Sequence, residues 1–136
     1  MISRRIFGSC GLCAAMALIA EPAEIQAQAT GGVTRRILGR EDVPGSNSET
    51  IQVFATVEPG AFVARHTHPG IESSFVFDGE ATLMVRGRPN ALLRAGEGFM
   101  IPPETPHAVQ NGGKLLQIAA TYIVEKGKPL STPAPE

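Results

Sequence analysis

GAFVARHTHPGIESSFVFDG, residues 60–79, is the stretch that decides how this chain folds. It carries His66 and His68 one residue apart, Glu72 four residues further on, and glycines at both ends, Gly60 and Gly79. Residues i and i+2 of a strand point to one face about 6.5–7 Å apart, so the two imidazoles converge while Thr67 faces away. Pro69 and Gly70 then turn the chain, because proline fixes φ and glycine frees it, and the turn brings Glu72 back toward the same point. The third histidine, His107, lies thirty-nine residues beyond His68 in a second stretch, GEGFMIPPETPHAVQN, residues 96–111. Only a folded sheet or barrel can bring it to the others. A lone His-x-His is more often a polar strand face than a site, but here the chain's three histidines all fall in these two stretches. The joint pattern favours a metal site built from His66, His68, Glu72 and His107.

Three imidazoles and one carboxylate make a mixed nitrogen and oxygen donor set that suits iron, manganese, nickel, cobalt, copper or zinc and does not choose among them. Four protein ligands leave open positions on an ion that prefers five or six, and those positions can take water, dioxygen or a substrate. Gly60, His66, His68, Glu72 and Gly79, followed by Gly96, Pro102, His107 and Asn111, resemble the two-motif signature of the cupin superfamily over the central half of the chain. One position departs: Glu104 stands where glycine is usual, which implies a looser turn or a carboxylate near the pocket rim. The resemblance implies a small single-domain, all-β protein, a double-stranded β-helix or jelly-roll barrel, binding one divalent transition-metal ion. It further implies either dioxygen chemistry on enols or phenols, as in quercetinase-like dioxygenases, or isomerase and related activities, while other members only bind and sense ligands. On that analogy Glu72 is both ligand and catalytic base. Two readings therefore stand side by side, a metal-dependent oxygenase acting on a small oxygenated molecule and a non-catalytic metallo-cupin that binds or senses a small ligand.

The remainder of the chain fits one domain of ordinary size within 136 residues. Arg4 and Arg5, the weakly apolar run Ile6 to Ala20 and the small-residue box Ala27-Gln28-Ala29 read as a cleaved signal peptide over residues 1–29. The run falls short of the ~20 apolar residues of a spanning helix. Ser3-Arg4-Arg5-Ile6-Phe7 also looks like the core of a twin-arginine leader, so general secretory and twin-arginine export both stay open. Either route implies a periplasmic or secreted protein, a domain over 30–125 and an extended, poorly packed tail over 126–136 with three prolines. Both cysteines, Cys10 and Cys13, lie in the leader, so neither disulfides nor thiolate ligands contribute after cleavage. Beyond the leader ten basic and eleven acidic residues remain. That near-balance gives no electrostatic case for nucleic acid and points instead to a small molecule or a second copy.

Strands are expected over Val33 to Leu38, Ile51 to Val57, Phe62 to His68, Ser73 to Phe77, Ala81 to Val85, Phe99 to Ile101, His107 to Gln110 and Leu115 to Val124, with no helix of useful length. Asp78-Gly79 reads as a hairpin turn joining Ser73–Phe77 to Ala81–Val85. Phe75, Val76 and Phe77 suggest a strand buried on both faces, with Ser74 and Val76 sharing the parity of Glu72 toward the cavity. The outward pair Phe75 and Phe77 suits core packing or a homodimer interface. Gln52, Met84, Met100, Gln117 and Tyr122 are candidate pocket residues, though ordinary core or surface placement is the commoner fate of each type, and Arg65 reads as a surface or interface charge.

Overall fold

A computed structural model describes residues 27–135. The leader expected over 1–29 lies outside the described residues except for Ala27–Ala29, whose backbone belongs to the first strand. In chain order the strands are β1 (Ala27–Thr30), β2 (Val33–Asp42), β3 (Ser48–Val57), β4 (Phe62–Thr67), β5 (Gly70–Asp78), β6 (Glu80–Val85), β7 (Ala91–Arg94), β8 (Gly98–Ile101), β9 (His107–Asn111), β10 (Leu116–Glu125) and β11 (Thr132–Pro133). They form two antiparallel sheets of order β1-β2-β3-β10-β5-β8 and β11-β4-β9-β6-β7. No helix occurs among the described residues. The all-β double-stranded β-helix expected from the motifs is the fold observed.

Alternation decides which face each strand buries. On β10, Leu116, Ile118, Ala120, Tyr122 and Val124 point inward and their neighbours outward, the period-2 pattern of a half-buried strand. Their partners across the ladder, Val57, Ala55, Val53 and Ile51 on β3 and Val76 and Ser74 on β5, share that face. Val63, Ala81, Leu83, Val85 and Val109 supply the matching layer from the second sheet. The core is thus a sandwich of aliphatic side chains, and the histidines sit at one end of it.

Three expectations are corrected. Asp78-Gly79 does not close a hairpin: β5 and β6 lie in different sheets, and β6 pairs with β7 and β9 instead. Gly79, at φ +89°, turns a corner between sheets, and a Cβ there would lie 2.5 Å from the carbonyl oxygen of Leu115. Strand β5 is buried on one face only, since Phe75 and Phe77 are 45% and 62% exposed. The C-terminal tail also differs from the loose segment expected of its prolines. It lies along β4 as β11, an edge position where proline's missing N–H costs no ladder bond, and Leu130 packs on the core.

Candidate metal centre

Both sheets contribute to the site. His66 on β4 and His107 on β9 are directly opposed in register, which puts them on the same inward face. A register shift between Val63 and His66 sets that face for the end of β4. His68 follows β4 at the corner leading to β5, and Glu72 faces inward from β5 beside Tyr122 on β10. The corner depends on Gly70: a Cβ there would lie 2.0 Å from the carbonyl oxygen of Ile123, so no larger residue fits while β5 pairs with β10.

The residues singled out as ligands come together. The ligand atoms of His66, His68 and His107 all lie within 4.8 Å of one another. Glu72 Oε2 lies 2.9 Å from His68 Nε2 and 3.2 Å from His107 Nε2, so the carboxylate touches two of the three imidazoles. His68, Glu72 and His107 are only 3%, 5% and 2% exposed, whereas His66 is half-buried and gives the cluster its open side.

Each imidazole is oriented by its other nitrogen. His66 Nδ1 lies 2.8 Å from the Ala64 carbonyl, His107 Nδ1 2.9 Å from that of Thr105, and His68 Nδ1 2.5 Å from that of Leu130. A carbonyl only accepts, so each Nδ1 carries a proton, and a ring in its neutral form leaves Nε2 as a bare lone pair. The consequence is electrostatic. A lone pair on His68 Nε2 faces a carboxylate oxygen in a buried place, and both atoms lack a hydrogen-bond partner. Orphaned buried acceptors are costly unless a cation sits among them. Spacings near 3 Å are also what adjacent ligands show around an ion with bonds of about 2.0–2.2 Å. On both counts the donor set fits a divalent metal ion.

Two titrating groups record the same environment. Burial, then the neighbouring His107, pushes the His66 imidazole down to about 4. For Glu72 burial acts upward, but in the metal-free protein with His107 and His68 protonated on Nε2 as well, their hydrogen bonds and that of the Ser74 hydroxyl outweigh it and hold the carboxyl well below the usual range. Ser74 Oγ donates to Glu72 Oε1 at 2.6 Å, leaving Oε2 for the cluster. Tyr122 stacks near His68, with ring centroids 4.7 Å apart, and burial with the charge on Glu72 keeps its phenol protonated far above neutral pH.

The other motif positions are structural. Asn111 is buried and its Nδ2 reaches the carbonyls of Val57, Glu58 and Lys114 at 2.8–2.9 Å. The Gly60 N–H donates to the Gly112 carbonyl at 2.7 Å. The two motifs are therefore stitched together at the end of the barrel where Gly60 and Asn111 meet. Glu104 is exposed at φ +54°, the only non-glycine residue with positive φ among those described, and its N–H donates to the His68 carbonyl. Of the pocket candidates, Tyr122 lines the site, while Met100 is 60% exposed on the outer face of β8 and Gln52 is exposed on β3. The Leu130 carbonyl was beyond sequence reasoning, because a backbone acceptor sixty-two positions away leaves no side-chain signal.

Fold and site together define a small β-barrel of the double-stranded β-helix class with a three-histidine cluster that could hold a metal ion. The Cupin domain model matches residues 53–124, more than half of the chain, and the chain belongs to the cupin family. Among solved structures it is similar to an RmlC-like cupin from Shewanella frigidimarina NCIMB 400, at 21% identity and TM-score 0.62 over 82% of this chain and 94% of that one. A cupin-like protein from Thermotoga maritima MSB8 is 24% identical, with TM-score 0.62 and 77% of each chain covered. A DMSP lyase from Ruegeria pomeroyi DSS-3 gives 20% identity and TM-score 0.66 over 81% of this chain, which spans only 61% of the lyase. Against another DMSP lyase structure it spans 53% of that chain's length. No curated protein matches the sequence.

Proposed function

We propose that this cupin holds one divalent transition-metal ion on the Nε2 atoms of His66, His68 and His107, with Glu72 Oε2 as fourth ligand. We further propose that it works as an exported, metal-dependent oxygenase of the quercetinase-like class on a small oxygenated molecule. One observation carries the metal reading: three imidazoles commit Nδ1–H to carbonyls, so three bare Nε2 atoms and an orphaned carboxylate oxygen share one buried cluster. A bound ion would supply Lewis acidity and, for a redox-active metal, a site for dioxygen.

The chain's own residues set what can react. A substrate hydroxyl arriving from the half-buried His66 side meets Glu72 Oε2, the carboxylate oxygen that Ser74 leaves free. The proton passes from the substrate oxygen to Oε2 and the substrate stays as its oxyanion. A carboxylate is a weak base, so an enol or phenol hydroxyl suits this step better than that of a simple alcohol. Turnover of catechols and flavonols under air by metal-replete protein tests this. Glu72→Gln that keeps its metal is expected to lose about 10²–10⁴-fold in turnover, and unimpaired turnover removes Glu72 as the base.

The depth of burial of His68, Glu72 and His107 favours a second reading, a non-catalytic metallo-cupin that binds or senses a small ligand. On that reading neither form turns over any substrate, with DMSP, named for two of the structural neighbours, included in the screen. Export is supported by the order of Arg4-Arg5, apolar run and Ala-Gln-Ala box.

Pairing of two copies is supported by the outer face of β3, β10, β5 and β8. Between Thr50 and Phe77 on its long axis this face carries Thr, Gln, Ser, Ala, Gly, Phe, Ile and Met and no charged side chain. One row across the strands reads Phe54, Ala119, Phe75, Gly98, alternately large and small. Under a two-fold axis the phenylalanines of one copy fit over the Ala and Gly of the other, without like charges opposed.

A further inference from the structure

His66 and His107 take their orientation from carbonyls two residues earlier in the chain, Ala64 within β4 and Thr105 in the turn leading into β9, so local structure sets those two rings. His68 differs: its Nδ1–H is held by the carbonyl of Leu130, sixty-two positions along the chain and beyond the last barrel strand. We infer that the C-terminal segment Leu130–Pro135 is a latch belonging to the metal centre, with the Leu130 backbone carbonyl as the positioning group that fixes the tautomer and direction of His68. The inference rests on the metal-binding reading above for its consequence, though not for its geometry.

The latch is held at several points. Thr132 and Pro133 pair with Thr67 and His66, so β11 lies on the outer edge of the ligand strand itself. Ala134 N–H donates to the Arg65 carbonyl at 3.0 Å, and Arg86 Nη2 donates to the Pro135 carbonyl at 3.1 Å. The Leu130 side chain packs partly buried against the core and anchors the start of the segment. Once the segment leaves, nothing among the described residues is positioned to replace the Leu130 carbonyl. His68 Nδ1 then meets water, the ring is free to exchange tautomers or to turn, and Nε2 is no longer reserved for the ion. Partners of a ligating imidazole's second nitrogen typically contribute 10–100-fold in metal affinity. The segment that reads in sequence as an extended, poorly packed end with three prolines therefore controls metal retention.

The test compares the full chain with one ended after Lys128, using zinc binding and imidazole ¹⁵N resonances of the metal-free proteins. The shortened chain is expected to bind zinc about 10–100-fold more weakly. His68 alone should shift from the Nδ1–H form toward a mixture of tautomers, while His66 and His107 keep theirs. Leu130→Ala, which retains the carbonyl and the β11 pairing, should keep both the His68 tautomer and an affinity within about threefold, below the 10–100-fold loss of a missing second-nitrogen partner. A shortened chain that folds, keeps His68 in the Nδ1–H form and binds zinc as before overturns the inference. If the shortened chain does not fold, the metal-free full chain decides: His68 is expected in the Nδ1–H form with a slowly exchanging Nδ1 proton, and His68 in the Nε2–H form or with a freely exchanging Nδ1 proton overturns it equally. A full chain that binds no divalent ion would defeat the metal reading, and the metal-free tautomer comparison would still decide the latch.

Discussion

At Glu104 a glutamate occupies a backbone conformation that L side chains avoid, φ +54°, next to its hydrogen bond to the His68 carbonyl. The left-handed region costs a non-glycine residue about 1–2 kcal/mol, and glycine's extra unfolded-state entropy returns about 0.5–1 kcal/mol of that. Glu104→Gly is therefore expected to stabilise the protein slightly, by up to about 1 kcal/mol in a urea melt, and a loss of stability would show that the turn is not strained. His66 gives a pH-dependent expectation of definite sign. Burial pushes its pKa down to about 4 in the folded chain from the ordinary 6.5, so between those values the unfolded chain binds more protons. Metal-free protein should lose stability as pH falls through that window, with no contribution from His66 above it. Melts at pH 7, 5.5 and 4.5 check this, and His66→Gln should flatten the slope. The four proposed ligands could be picked out of the sequence from the strand and turn offsets of His66, His68 and Glu72 together with the two-motif resemblance that adds His107. The hydrogen bonds that orient them could not, because all three acceptors are backbone carbonyls.

The element that matters most to the site is the corner between β4 and β5. Gly70 faces the Ile123 carbonyl where β5 pairs with β10, and it stands between two proposed ligands. Gly70→Ala must push the strands apart and should destabilise by about 2–4 kcal/mol, in the range of strain at a special backbone position, and it should weaken metal binding with it. A wild-type melt with wild-type zinc affinity would show that the corner adapts. Strand positions were largely readable from alternation and from Gly, Pro and Asn punctuation. Pairing was not. Asp-Gly is a hairpin signal in isolation, yet β5 buries its face in one sheet and β6 in the other, and no local residue pattern records which sheet a strand joins. The lengthening of β2 to Asp42 was equally hidden, since its far half is exposed and held by backbone pairing to β3 and by Arg40 against Glu49.

For the molecule as a whole, the barrel buries its aliphatic core between two sheets and leaves an uncharged outer face carrying Phe75 and Phe77. If two copies meet there, Phe77→Glu should give a monomer by sedimentation at concentrations where the parent chain is a dimer, without loss of metal. A parent chain that is monomeric throughout would remove the dimer. If the chain is exported as proposed, exchange of Arg4 and Arg5 for Lys separates the routes, since a twin-arginine leader should fail and a general secretory leader should not. The account as a whole stands on ligands from both sheets closing around one ion. X-ray absorption at the edge of the metal that co-purifies with the protein tests that most directly. The account predicts one ion per chain with three imidazoles and a carboxylate oxygen at about 2.0–2.2 Å. A metal shell without imidazole scattering, or full occupancy retained in His68→Ala with His107→Ala, would contradict it.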